Sequence, residues 1–290
     1  MQWPVEVALA RPTPTLPSGP GWSYEIKVDG HRTVLWRAQD TVRLQSRSGR
    51  DVTSPWMDLA RAGTALPPGV ILDGEAVVIV DDAVSFEAAQ ARAASSPSRA
   101  RRLAERYPAL LIVWDVLALP TGDVRARPYT WRRAALLDLV ANLPDPSPIQ
   151  AVSATADLAL AQSWYDSLQG AGAEGIVAKP TASPYRAGRS SGWQKTRHAE
   201  TVDAEIVGYT GPSRRPQALV VRLPDGRTAV SQRLNARLAG QVAPLLAPAP
   251  AKERCRTASG DTYTPVSLRS MAEVLAGTTR HPVVTVTRLR

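Results

Sequence analysis

Tyr24-Glu25-Ile26-Lys27-Val28-Asp29-Gly30-His31-Arg32 joins a strand, a turn and a lysine at their junction. Residues 22–29 read as a strand, Gly30 opens a turn, and further strands are expected at 33–36 and 42–45. A lysine at a strand end with glycine behind it can present its amine to a ligand. Asp29 and Arg32 place charges of both signs nearby. Only four of the 35 basic residues are lysine: Lys27, Lys179, Lys195 and Lys252. Arginine stays charged at any accessible pH, whereas a lysine amine can lose its proton and attack. An arginine-biased composition would also leave a few lysines, so their surroundings must decide.

Outward from this stretch, residues 1–20 are rich in proline and should run extended, packed on the first domain. Residues 69–80 read as two apolar strand segments flanking Asp73-Gly74-Glu75. Helical composition marks 85–94 and 98–106, and 109–117 is a buried strand containing Trp114-Asp115. Residues 131–140 and 156–169 have the pattern of amphipathic helices. Strands and helices mix without regular alternation, which predicts α+β architecture. After Arg197 short β-rich segments recur at 204–209, 218–223, 228–231 and 283–288. Pro224-Asp225-Gly226-Arg227 is a hairpin signal between two of them. Residues 232–246 suit a helix before a proline-alanine stretch at 247–251. Several short strands and one helix in about 90 residues suit a small β-barrel such as an OB-fold. The expected domains are therefore 1–199 and 200–290.

Of 290 residues, 44% are hydrophobic, enough for real cores. The single cysteine excludes an intramolecular disulfide and a cysteine-rich zinc site. The amino terminus lacks the basic start and apolar run of a signal peptide, and no stretch has the length of a membrane span. A cytoplasmic protein without a membrane partner is expected. The net charge is +9, and residues 200–290 hold 13 basic against 7 acidic residues. Such a field suits a surface that tracks phosphates, because each neutralised phosphate releases a counterion. Arg214-Arg215, in a loop, are candidate phosphate contacts, while Arg99-Ala100-Arg101-Arg102 reads as a solvated helix face. His31, His198 and His281 form no recognisable cluster. No Walker P-loop is present, so phosphate handling falls to lysines, arginines and a metal.

Order and spacing carry the functional reading. After Lys27-Val28-Asp29-Gly30 come Asp73-Gly74-Glu75 at a strand end and the aromatic-Asp pair Trp114-Asp115. Glu174-Gly175-Ile176-Val177-Ala178-Lys179 and Trp193-Gln194-Lys195-Thr196-Arg197 follow. In these ordered elements the chain resembles the covalent nucleotidyltransferases: ATP-dependent DNA ligases, RNA ligases and mRNA capping enzymes. Three further runs resemble bacterial ligase C and the ligase domain of ligase D. They are Ser46-Arg47-Ser48-Gly49-Arg50-Asp51, Ser183-Pro184-Tyr185-Arg186-Ala187-Gly188-Arg189 and Thr279-Arg280-His281-Pro282. The resemblance spans residues 20–290.

It implies a nucleotidyltransferase (adenylation) domain followed by an OB-fold domain. It also implies a lysyl-AMP intermediate on Lys27, then a DNA-adenylate, then sealing of a 3′-OH/5′-phosphate nick. ATP and Mg²⁺ (or Mn²⁺) are the implied cofactors. In the family's pattern Glu25 lies beside the adenine amino group, Trp114 stacks on the base, and Arg32 and Arg47 contact ribose and phosphate. Glu75 resembles the ribose contact, Glu174 the residue positioning the metal, and both are candidate metal ligands. Lys179 and Lys195 would hold the α-phosphate. Arg47, Arg214 and Arg215 are the candidate nucleic-acid contacts.

Two departures stand out. The closing Lys-x-Lys is Lys195-Thr196-Arg197, so a fork replaces a point donor. The chain ends at Thr287-Arg288-Leu289-Arg290, where family members usually continue into an Asp-containing segment that orients pyrophosphate. With no amino-terminal clamping domain expected, a minimal monomeric ligase is implied. Its partners would be nicked duplex DNA at the nucleoid and a separately encoded repair polymerase or end-binding protein. The alternatives are an RNA ligase or capping-type enzyme, or a nucleic-acid-binding protein without activity.

Overall fold

The strand Ile71–Val80 has its first eight residues buried, as a strand covered on both faces must. It is the middle of the larger sheet in the computed structural model. That model describes residues 1–168, 170–189, 192–198, 200–246, 254–257, 260–266, 270–276 and 283–289. By its contacts the chain divides into two units, Met1–His198 and Ala199–Arg290.

The larger sheet of the first unit runs Val42–Ser46, His31–Arg37, Ile71–Val80, Ala109–Leu119, Gly122–Asp123, all antiparallel neighbours. Sequence predicts two segments around Asp73-Gly74-Glu75, yet one strand passes through, because each acidic group finds a partner. Asp73 accepts from Arg32, Trp114 and Tyr185, and Glu75 Oε1 accepts from the Gly30 N–H at 3.0 Å. Behind this sheet Leu35, Leu44, Trp56, Leu59, Leu72, Leu111 and Leu136 form the main core. The helix Tyr129–Ala141 packs on Ala109–Leu119.

The smaller sheet runs Arg11–Pro12, Gln194–Arg197, Ala173–Pro180, Trp22–Val28, Ala154–Thr155. Its two faces follow the period of two along a strand. Tyr24, Ile176 and Ala178 sit in a core with Ala161 of helix Leu158–Ser167, whose first turn is capped by the Asp157 carboxylate accepting from Ala159 N–H at 2.8 Å. The alternate positions, Glu25 and Lys27, belong to the other face. The proline-rich start is extended and packed as expected. Val5 exchanges two hydrogen bonds with the Gln45 side chain, and Arg11–Pro12 pairs in parallel with Gln194 and Lys195. Val5, Val7 and Ala8 join Val34, Leu117, Tyr185 and Trp193 in a third core.

In the second unit five strands close on themselves: Glu200–Thr210, Ala218–Arg222, Thr228–Ser231, Val283–Leu289 and Met271–Ala276, which returns to the first. The third and fifth strands in chain order are parallel, and helix Ala236–Leu246 lies between the third and fourth. This closed barrel is consistent with an OB-fold. Met271–Ala276 and the short hairpin of Cys255–Arg256 with Thr262–Pro265 escape the sequence reading. Residues 247–251 and 279–282, Arg290 and the Arg288 side chain lie outside what is described. Among the described residues no helix is long and apolar enough to cross a membrane.

Arg132 and Asp115, both almost fully buried, tie helix Tyr129–Ala141 to the larger sheet through two hydrogen bonds of 2.7 and 3.0 Å. Removing one member of a buried pair strands the other charge, at about 3–5 kcal/mol. Arg132→Leu should therefore lower the unfolding free energy of the first unit by about that amount in a urea titration. A loss below about 1 kcal/mol would show that Asp115 is stabilised by other groups.

Candidate active site

Four of the candidate residues, joined by Arg197, share one face of the smaller sheet. Lys27 lies opposite Gly175, Glu25 opposite Val177, and Lys179 opposite Ser23. On the next strand Lys195 faces Val177 and Arg197 faces Gly175. Directly opposed residues project to the same side. Glu25, Lys27, Lys179, Lys195 and Arg197 therefore point together, while strict alternation would send Glu174 away.

A bulge corrects this. The pairing slips between Ala173 and Gly175, and Gly175 takes φ +148°. An added Cβ there would lie 2.1 Å from the Thr196 carbonyl oxygen, so only glycine fits. The irregularity turns the Glu174 carboxylate onto the lysine face. There it pairs with Lys27 Nζ through Oε2 and with Arg197 Nε through Oε1 at 2.9 Å.

Lys195 belongs to this cluster. Burial lowers its pKa from 10.5 to about 8, helped by the charges of Arg197, Lys27 and Arg47 and opposed by Glu174. Arg47 reaches the cluster from the larger sheet. It is exposed in the turn after Val42–Ser46, where Gly49 N–H donates to the Ser46 carbonyl at 2.9 Å.

Lys179 lies elsewhere, in a second, buried network. Its Nζ is 2.8 Å from Glu25 Oε2, donates to the Trp114 carbonyl at 3.1 Å, and sits 4.0 Å from the Trp193 ring centroid. The Tyr129 hydroxyl donates to Glu25 Oε1 at 2.6 Å. Burial favours the neutral form of each partner, raising Glu25 and lowering Lys179, and each ion resists the other's shift. Burial also raises the Tyr129 phenol, with the Glu25 charge adding to it.

Arg32 and Trp114 form a third group around Asp73. Arg32 grips Asp73 with hydrogen bonds of 2.8 and 2.6 Å and donates to the Ala8 carbonyl at 3.1 Å. Its guanidinium lies 4.6 Å from the Trp114 ring centroid, and Trp114 Nε1 donates to Asp73 at 3.1 Å. Burial works against the Arg32 charge, but Asp73 more than restores it. Glu75, on the same side of its strand as Asp73, is buried beside the Lys27 turn through Gly30. The turn is tight, because a Cβ on Gly30 would lie 2.3 Å from the Ala76 carbonyl oxygen. Arg214 and Arg215 are exposed in the second unit, in the loop between Glu200–Thr210 and Ala218–Arg222.

Several of these partners have little sequence signal. Tyr129 meets Glu25 across 104 positions and Tyr185 meets Asp73 across 112. Asp115 carries one signal, a charge inside an apolar strand, which demands a partner. Arg132, 17 positions on, supplies it.

The model of the ATP-dependent DNA ligase domain matches residues 10–197. Mycobacterium tuberculosis DNA ligase C is 38% identical over 209 residues, covering 71% of this chain. The chain belongs to the ATP-dependent DNA ligase family. Mycolicibacterium smegmatis DNA ligase C2 is likewise 38% identical, over 208 residues and 71% of the chain. The matches span 58% and 57% of these two relatives. Among solved structures, a mycobacterial DNA ligase D complexed with ATP and MES superposes with a TM-score of 0.55 at 25% identity. That match covers 98% of this chain and 94% of the other. A Lig E DNA ligase shares the fold at TM-score 0.65 and 16% identity, over 99% of both chains.

Family members of this kind require a divalent ion. Among the described residues no three His, Cys, Asp or Glu side chains are grouped to hold one. Glu174 nonetheless fits a hard ion, because Mg²⁺ takes one or two carboxylates and completes its shell with phosphate oxygens and water.

Lys195 is a cation whose charge changes in the mildly alkaline range. It is charged below about pH 8 and loses that charge above it. Affinity for ATP, read by equilibrium titration, should therefore fall above pH 8, by at most about tenfold per pH unit for one proton. Lys195→Arg should abolish the fall. An unchanged pH profile in that variant would assign the titration to another group.

Proposed function

We propose that this chain is an ATP-dependent DNA ligase that seals 3′-OH/5′-phosphate nicks in duplex DNA. Residues 1–199 would form the adenylation domain and 200–290 the OB-fold domain. The observation that carries the reading is the cluster of Lys27, Lys195, Arg197 and Glu174 on one sheet face.

In the first step Lys27 Nζ attacks the α-phosphorus of ATP. A P–N bond forms, the bond to the β-phosphate oxygen breaks, and pyrophosphate leaves. Attack needs the neutral amine, so Lys27 must pass its proton to solvent and give up its pairing with Glu174. Lys195 and Arg197 hold the α-phosphate as charge grows in the transition state, with the Arg47 charge adding to theirs. Lys179 would assist them once a nucleotide loosens its pair with Glu25. Glu174, with Glu75 as the second candidate ligand, would hold Mg²⁺ or Mn²⁺. The bound ion supplies positive charge toward the pyrophosphate leaving group. Glu25, Trp114 and Arg32 would receive adenine and ribose. AMP then passes to the 5′-phosphate at the nick, and the 3′-hydroxyl displaces it as the strand is sealed.

The protein would work as a cytoplasmic monomer at the nucleoid, after a separately encoded repair polymerase or end-binding protein has prepared the nick. The basic excess in residues 200–290 supports contact with DNA, and Arg214 and Arg215 are the assigned phosphate contacts there. Nicked RNA–DNA hybrids and GTP serve as control substrates, since better sealing of RNA ends would favour an RNA ligase.

Intact mass after ATP and Mg²⁺ should show a one-AMP adduct on wild type and none on Lys27→Ala. An adduct that survives Lys27→Ala would place the nucleophile elsewhere. Replacing both Arg214 and Arg215 by alanine should lower the slope of log affinity for nicked duplex against log salt by about 2. An unaltered slope would remove this loop from the DNA footprint.

A further inference from the structure

Arg133 has a guanidinium nitrogen, Nη1, that is buried and has no hydrogen-bond partner in the structure. Its other arm, Nη2, donates to the Val152 carbonyl. That anchor places it beside the smaller sheet, because Ile26 N–H donates to Ser153 at 3.2 Å and Ala154 pairs with Glu25. Tyr129 lies four residues earlier on the same helix, hence on the same face. Its hydroxyl already holds one Glu25 oxygen. Burial raises both Glu25 and Tyr129, and the Arg133 charge acts against that rise at each. Arg133 is thus near enough for its charge to act on Glu25, whose oxygens already meet Tyr129 and Lys179, and its Nη1 is a donor with spare capacity. A buried N–H without an acceptor is costly and is normally satisfied by water or a ligand.

Glu25 is two residues from Lys27 on the same strand face, about 7 Å along the strand. An α-phosphate at Lys27 therefore leaves room for a ribose before the base meets Glu25. We propose that Arg133 is a specificity-determining residue that reads the adenine base, donating from Nη1 to a ring nitrogen next to the amino group accepted by Glu25. This rests on the nucleotidyl-transfer reading above, which puts the base at Glu25. The chemistry is selective on either edge of the purine. Adenine offers an amino donor flanked by ring acceptors, N1 on one edge and N7 on the other. Guanine presents its O6 acceptor at the same place, where it would face the Glu25 carboxylate.

The test is single-turnover formation of the AMP-type adduct with ATP, 1-deaza-ATP and 7-deaza-ATP. Wild type, Arg133→Lys and Arg133→Met are compared, with thermal melts to confirm folding. In wild type one of the two analogues should raise the nucleotide concentration for half-maximal rate about tenfold, leaving the limiting rate little changed. The analogue affected identifies the edge that is read. In Arg133→Lys, which keeps the charge but loses the second arm, that analogue and ATP should become equivalent. A purely structural role would slow all three nucleotides alike and preserve their ratio, and that outcome overturns the proposal. So does a wild type that uses both analogues as well as ATP. If wild type forms no adduct from ATP, the nucleotidyl-transfer reading fails instead. Equilibrium binding of the same three nucleotides then decides the inference by the same ratio.

Discussion

Charge buried between two sheets has to be paired, and that constraint organises the first unit. Asp73, Asp115 and Glu25 are each almost fully buried, and each meets a cation: Arg32, Arg132 and Lys179. A carboxylate in such surroundings, left alone, would take up a proton or draw in water. Pairing keeps the charges and fixes the distances between elements far apart in the chain. Arg32 with Asp73 joins neighbouring strands of the larger sheet, and Lys179 with Glu25 joins neighbouring strands of the smaller one. Arg132 with Asp115 brings the helix Tyr129–Ala141 onto the sheet. Tyr185 adds a further tie, donating to Asp73 at 2.7 Å and accepting from Ala8 N–H at 2.9 Å.

On this frame the reactive cluster is less enclosed and more adjustable. Lys27, Lys195, Arg197 and Arg47 place four positive groups around one carboxylate, Glu174. The excess suits an anion, and a nucleotide's phosphates would supply the missing negative charge. The contrast between the clusters is functional in the proposed mechanism. The buried pairs set the geometry, while the less enclosed cluster exchanges partners as phosphate enters and leaves. Lys195, with its pKa near 8, sits on the boundary between the two regimes.

The second unit solves a different problem. Among its described residues one helix packs against the strands, so closure into a barrel covers their inner faces and removes the free edges. Helix Ala236–Leu246 then turns Leu238, Val242 and Leu246 into the same core. The basic side chains among the described residues remain outside, which places their charge at a surface.

Much of this was written in the order of residues. The strand ending at Lys27, the turn at Gly30, the helices near 86–93, 97–106, 129–141 and 158–167, and four of the five barrel strands after 200 follow from local periodicity and turn chemistry. Those signals act over a few residues and are read directly from the sequence. The set of motif residues was also legible, because chemistry constrains residue type and order. Tertiary structure alone decided which of them meet. Lys179 and Lys195 both close motifs of the resemblance, yet one is paired with Glu25 in the interior and the other joins Lys27 and Glu174 in the less enclosed cluster. Glu174 reaches that cluster only through the bulge at Gly175, a one-residue slip that the sequence pattern does not announce. Burial, the hydrogen bonds of Tyr129 and Tyr185, and the spare donor of Arg133 depend on contacts between residues that may be a hundred positions apart. Pairing at that range is set by packing, not by neighbours in the chain.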